Sequence, residues 1–157
     1  MTSKSHGLII AVLLVIIAGL LYKFIVAGDT RPAPDGRIAI ELAPAERAQV
    51  LAEMRDYVLA VQQIVQGLAK GDAKQIEAAA LPVGTRAMKR MRLETMAKLP
   101  YEYKQAGFGM HRDFDTIAIM AHQGKDIRAI QLQLADSMNR CINCHASYQL
   151  PSPHPAK

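Results

Sequence analysis

The stretch Cys141-Ile142-Asn143-Cys144-His145, close to the C-terminus, constrains this chain more than any other. It contains the only two cysteines of the 157 residues, three positions apart, with a histidine directly after the second. On a helix these three side chains stand at i, i+3 and i+4, so they leave from one face. That face suits a porphyrin held edge-on, with two thioether bonds from the cysteines and the imidazole on the iron. The spacing therefore predicts covalent attachment of c-type haem, with His145 as an axial ligand.

The cysteine pair has two other interpretations, a redox dithiol and half of a zinc site. A closed structural zinc site needs four ligands, and the chain has no second cysteine pair. Dithiol motifs of this spacing usually lie near a βαβ unit, and the sequence shows no such pattern. Haem attachment is the preferred interpretation, and it leaves no thiol for a disulfide.

The N-terminal segment, residues 1–27, is predicted to be a membrane anchor. No charged or polar side chain occurs from Leu8 to Leu21, and the apolar block resumes after Tyr22 and Lys23 to end at residue 27. A helix of this length can cross the hydrocarbon core of a bilayer. The tyrosine and the lysine suit the membrane interface, the lysine by snorkelling.

A cleaved signal peptide, with Lys4 ahead of the apolar run, is the alternative interpretation. Ile25 and Val26 make a poor small-residue cleavage site, so the uncleaved anchor is preferred. Both interpretations export everything after Asp29, because Lys4 marks a short cytoplasmic side.

Composition changes from residue 28, where glycine, proline and aspartate dominate as far as residue 43. Such a stretch is typical of a linker that keeps a domain off the bilayer. Residues 38–42 could form a short extended piece, but an ordinary linker is preferred. A Pro-rich tail, residues 151–157, closes the chain.

Residues 44–150 are predicted to form one domain of four amphipathic helices without strands. The first runs from Pro44 to the Gly71-Asp72 pair, which suits a helix end followed by a helix cap. The second starts at Ala73, must break or kink at Pro82-Val83-Gly84, and continues from Thr85 to Leu99. The third covers 101–122, with an interruption near Gly107 and Gly109, and the fourth covers 125–148. Short connections favour an all-α, antiparallel four-helix bundle.

Apolar stripes support the first and last of these helices. On the first helix, apolar residues recur at helical spacing at Val50, Met54, Val58, Val61, Val65 and Leu68. On the last helix, the stripe runs through Ile127, Ile130, Leu134, Met138, Cys141, His145 and Tyr148. The core-facing side of the last helix therefore leads into the predicted haem motif.

A C-x-x-C-H near the end of the last of four helices resembles the class II cytochromes c, the cytochrome c-prime group. Tyr148, three residues after the motif, matches a common C-x-x-C-H-x-x-Tyr ending in that group. Arg47-x-x-x-Leu51-x-x-Met54 is similar to the group's Arg-x-x-x-Leu/Met-x-x-Met on its first helix. The resemblance covers roughly residues 44–149. It implies one covalently attached haem c, exported to the periplasm and, with the anchor, a single-pass protein of a bacterial inner membrane.

The resemblance also implies that the first helix faces the second axial position of the iron. Met54 would be the sixth ligand, or Leu51 an apolar cover over an open position; Arg47 would pair with a haem propionate. His111 on the third helix is another candidate ligand. The stretch from Leu99-Pro100 to His111-x-x-Phe114-Asp115 resembles membrane-tethered relatives within the wider group. The anchor is not typical of the soluble c-prime proteins.

These expectations favour an electron carrier over an enzyme. A Met-ligated iron cycling between Fe(III) and Fe(II) would serve membrane or periplasmic redox partners. The alternative is a five-coordinate protein that binds nitric oxide or carbon monoxide. A peroxidase-like activity ranks last, because no distal acid–base pair is recognised. Members of the group often pair through their first helices, so a homodimer is left open.

Charge gives little sign of other partners. The formal net charge is +5, and from Gly28 onward basic residues exceed acidic ones by only three. Nucleic acid is not implied, because no basic and aromatic interleaving occurs. A basic cluster on the second helix is interpreted as a solvated face, with steering of an acidic redox partner as the functional alternative; its members are Arg86, Lys89, Arg90 and Arg92.

Overall fold

The computed structural model describes the backbone of residues 3–152 and the side chains of residues 6–152. Most of the predicted Pro-rich tail, from residue 153, lies outside the described residues, as do Met1, Thr2 and the Lys4 side chain. The described chain is mostly helical, as predicted. Its α-helices are α1 (Ser3–Leu21), α2 (Pro44–Lys70), α3 (Ala73–Ala80), α4 (Leu93–Lys98), α5 (Tyr101–His122) and α6 (Ile127–Ser147).

The N-terminal helix is long and apolar enough to cross a membrane. The apolar run covers His6–Ala27, 22 residues with a mean hydropathy of 2.8, and none of it is buried against the rest of the chain. After α1 the helix widens into a π-helical turn over Tyr22–Ala27. This turn closes where the Gly28 amide donates to the Lys23 carbonyl at 2.9 Å.

Within the segment 28–43, residues 30–40 form a β-hairpin, and the short extended piece considered at 38–42 is a strand over residues 38–40. Strands β1 (Thr30–Pro32) and β2 (Ile38–Ile40) pair antiparallel, and β2 pairs in parallel with β3 (Tyr148–Gln149). Ala39 and Ile40 are 1% and 0% exposed. The apolar residues of β2 therefore belong to the packed domain, and the fold contains a small sheet that the expectation of an all-α domain lacked.

Local signals at the ends of α2 and at the start of α3 act as predicted. The Glu46 carboxylate accepts from the Ala43 amide at 2.7 Å, which caps α2 at its start. Gly71 takes the left-handed conformation that ends α2, with a φ of 67°. The Asp72 carboxylate accepts from the Gln75 amide at 3.0 Å and so caps α3.

The predicted second helix is shorter and more broken than expected. After α3, two 3-10 segments cover Leu81–Val83 and Thr85–Arg90 before α4 begins. Asp115 on α5 holds this crossover, because its carboxylate accepts from both the amide (3.1 Å) and the hydroxyl (2.6 Å) of Thr85. In contrast, α5 runs through Gly107 and Gly109 without the predicted interruption.

The core lies where α2, α3, α5 and α6 pack on one another. The buried face of α2 matches the predicted stripe only in part. Val50 is buried and Val61 and Leu68 pack against the core, but Val58 and Val65 are 69% and 50% exposed while Ala60 and Ile64 are buried. Gly67 allows this face of α2 to approach α3 closely, because a Cβ added at Gly67 would lie 2.6 Å from an Ile76 side-chain carbon on α3. The largest buried apolar side chains are Phe114, Ile40, Ile64, Ile76, Ile117 and Ile130.

Candidate cofactor site

A mostly apolar cavity of about 240 Å³ lies where α6 faces α2 and α5. Helix α6 contributes Cys141, Cys144 and His145 to its wall, and α2 contributes Met54. The three motif side chains therefore share one face of α6, as their spacing predicted. Other apolar wall residues come from α2, the crossover, α4 and α5: Val50, Met88, Met91, Met96, Leu99, Phe108 and Met110.

A second cavity, of about 280 Å³ and more polar, adjoins the first. Met54, Tyr103, Cys144 and His145 line both cavities. The second cavity is completed by residues from the hairpin, α2 and the end of the chain: Arg37, Leu51, Tyr148, Gln149 and Leu150. The end of the motif thus lies between an apolar space and a polar one.

Both cysteines are free, half-buried thiols. Burial raises the pKa of Cys141, and it raises the pKa of Cys144 to about 11. Reactive dithiols of C-x-x-C type have lowered thiol pKa values, so this environment is the opposite of a redox pair. Within residues 6–152 no three His, Cys, Asp or Glu side chains converge tightly enough to hold a metal ion, which gives no support to zinc.

His111 is buried in the cavity wall with both ring nitrogens in use. Its Nδ1 lies 2.8 Å from the Val83 carbonyl, which can only accept, so Nδ1 carries the hydrogen. Nε2 then accepts from the Tyr57 hydroxyl at 2.9 Å. The Tyr57 ring stacks on Phe114 at a centroid distance of 5.7 Å. His111 therefore links α5 to α2 and to the crossover by hydrogen bonds, which disfavours it as an iron ligand.

The hairpin, and not the start of α2, brings an arginine to the motif. Arg47 lines neither cavity, and its Nε donates at 3.1 Å to the carbonyl of Leu150, a residue in the wall of the polar cavity. Arg37 instead lines the polar cavity and donates from Nη1 to the His145 carbonyl at 3.3 Å. Its other side forms an ion pair with Asp35 at 2.8 Å, which holds the pKa of that carboxyl below its usual value.

Comparison of the chain with known protein families, with curated proteins and with solved structures finds no match.

Glu53 and Tyr103 in the cavity wall were not predicted from the sequence, whereas Arg140, next to Cys141, was a candidate propionate partner with a solvated side chain as the alternative. Glu53 on α2 faces the apolar cavity, and burial raises the pKa of its carboxyl. Burial also raises the pKa of Tyr103, so this phenol stays protonated. Arg140 lines the cavity while its Nε donates to Asp113 at 2.5 Å. Glu53 directly precedes Met54 in the sequence, which is a signal that could have pointed to it. Nothing in the local sequence links Arg37 to the motif.

Proposed function

We propose that this protein is a membrane-anchored, mono-haem c-type cytochrome that carries electrons. One observation carries the proposal: Cys141, Cys144 and His145 on one helix line the same cavity as Met54 on the helix opposite. In this proposal α2, α3, α5 and α6 are the antiparallel four-helix bundle of a class II cytochrome c. The soluble domain lies in the periplasm, held at the bacterial inner membrane by the N-terminal helix.

The two adjoining cavities fit the two kinds of surface that haem presents. The porphyrin ring is apolar, and so is the wall built from methionine, leucine and aromatic side chains. The propionates are carboxylates, which suit the polar cavity that holds Arg37. Cys141 and Cys144 would hold the group covalently. His145 on α6 would supply a nitrogen ligand and Met54 on α2 a sulfur ligand.

When bound, haem supplies a reversible one-electron change between Fe(III) and Fe(II). The chain's own residues set the conditions for that change. The wall around Met54 and the two cysteines is mostly apolar, whereas His145 lies at the exposed end of the motif. A one-electron change of this kind breaks no substrate bond. Redox partners in the membrane or periplasm would complete the pathway.

Met54 is favoured over an open sixth position. It lines both cavities together with His145, whereas Leu51 lines only the polar one. His111 is committed to Tyr57 and Val83 through its two nitrogens. These contacts support a six-coordinate carrier over a five-coordinate protein that binds nitric oxide or carbon monoxide.

The test is an optical spectrum of the ferrous protein, produced in cells competent for cytochrome maturation, before and after carbon monoxide. We expect no carbon monoxide response from the unaltered protein, a clear response and a lower midpoint potential from Met54→Ala, and little change from the matched variant Leu51→Ala. His145→Ala should remove normal axial ligation. A colourless protein would refute the haem proposal. A carbon monoxide response already present in the unaltered protein would favour the gas-binding alternative.

A further inference from the structure

The end of the apolar helix is joined to the domain by a close network of hydrogen bonds. Lys104 on α5 donates from Nζ to the carbonyls of Phe24 (3.3 Å) and Ile25 (2.8 Å). The Asp29 amide donates to the Lys98 carbonyl at 2.7 Å. A Cβ at Gly28 would lie 2.5 Å from that same carbonyl oxygen, so the two segments are in direct contact. We call this contact the joint, and it holds the domain in one orientation on the helix.

An exposed group of residues lies at the same end of the domain as the joint. Helix α4, which packs against the segment 22–27, begins at Leu93, and this side chain is 84% exposed. Just before it come Lys89, Arg90 and Arg92, all exposed. We call these four residues the basic patch.

Contacts along α2 relate the basic patch to the joint. Glu46, in the first turn of α2, pairs with Lys98 at 2.7 Å, and the Lys98 carbonyl is part of the joint. One turn further, the Gln49 side chain donates to the Arg90 carbonyl at 2.8 Å. The basic patch therefore lies next to the first turns of α2, beside the end of the apolar helix.

We propose that the basic patch rests on the bilayer and binds anionic phospholipid head groups. The inference rests on the proposed anchor, because the joint then places the patch at the membrane surface. An exposed leucine beside cations is the composition of an interfacial segment, with the apolar side chain entering the boundary and the cations meeting lipid phosphates. Glu94 pairs with Arg92 at 2.8 Å, but both side chains are about 70% exposed, so this pair exchanges readily for lipid contacts.

This placement has a consequence for electron transfer. Lys104 lines the apolar cavity and also binds the last turn of the apolar helix. The cavity is therefore held beside the membrane surface and does not swing on a flexible tether. Exchange with a redox partner would then take place at the bilayer surface.

The test uses the full, haem-loaded chain in nanodiscs of phosphatidylcholine alone or of an equal mixture with phosphatidylglycerol. Hydrogen exchange of the α4 amides is the measurement. We expect slower exchange in the anionic discs, with the difference removed by high salt. Because each cation near an anionic leaflet contributes a factor of about five, Lys89→Gln with Arg92→Gln should lower the lipid-dependent protection by roughly 25-fold.

The matched control is Lys70→Gln with Lys74→Gln, which removes the same charge where α2 ends and α3 begins, about 40 Å from the start of α2 at 1.5 Å per residue. This control should keep the protection. A chain that does not co-elute with the discs would overturn the anchor and this inference together. A chain that co-elutes but exchanges equally in both lipids would overturn only the binding of anionic lipid by the basic patch. An acidic protein would then be the better candidate partner for these cations.

Discussion

Replacing Gly28 by alanine is the most direct test of the joint, and Gly36→Ala is its matched control. Both glycines have positive φ, 65° and 84°. They differ in their surroundings. A Cβ at Gly28 would meet three backbone atoms of residues 98–100 at 2.5 to 2.7 Å, whereas a Cβ at Gly36 would meet nothing within 4 Å.

The expected magnitudes follow from this difference. A non-glycine residue at positive φ costs roughly 1–2 kcal/mol, and both variants carry that cost. Gly28 combines its φ with a ψ of −160°, a region essentially restricted to glycine, where the cost is of order 1–3 kcal/mol. The clash is with backbone, which cannot rotate away, so the joint must open and its hydrogen bonds are lost at about 1 kcal/mol each. We expect about 1 kcal/mol for Gly36→Ala and about 4 kcal/mol for Gly28→Ala.

The assay is thermal unfolding in detergent, together with trypsin cleavage after Arg37 in the hairpin. At roughly 4 °C per kcal/mol for a domain of this size, the melting temperature should fall by about 4 °C for the control and about 16 °C for Gly28→Ala. If the opening is local, the hairpin becomes trypsin-sensitive while the melting temperature changes less. Equal melting temperatures and equal cleavage in the two variants would refute the joint.

Three further predictions concern the site and its supports. In haem-free protein, alkylation of Cys144 should be slow at pH 8 and rise about tenfold per pH unit up to about pH 11, since only the thiolate reacts; fast labelling at pH 7 would contradict the burial argument. Tyr57→Phe leaves a ring nitrogen of His111 without its donor and should cost about 1–3 kcal/mol in urea unfolding, where no loss would mean that the bond is not formed. The hydrogen bond from the Lys98 ammonium lowers the pKa of Glu46 below its usual 4.5. The Glu46–Lys98 ion pair therefore stabilises the fold fully above pH 4.5, and this stabilisation is lost as the pH falls through the lower pKa of the folded state. Glu46→Gln should therefore be less stable than the unaltered protein at pH 7 and equally stable in strong acid; a difference independent of pH would reject the ion pair.

Much of the secondary structure could be predicted because its signals act within a few residues. Helix ends are marked by Pro44, which lacks a donor, by Gly71, which permits positive φ, and by Asp72, which supplies a cap. Each acts as predicted. The third helix has the predicted bounds, Tyr101–His122. The break at Pro82-Val83-Gly84 was predicted, but the 3-10 segment Thr85–Arg90 in place of a helix was not, because Thr85 is held by Asp115, 30 residues further along the chain.

The sequence by itself determined that Cys141, Cys144 and His145 share a helix face and that the N-terminal helix can cross a membrane. Both follow from spacing and composition alone. Only the tertiary structure decided that the hairpin approaches the motif, because β2 pairs with β3 more than 100 residues away and carries Arg37 with it. It also decided which face of α2 is buried. Periodicity marks more than one apolar face on a helix, and the close approach of a neighbouring helix selects among them.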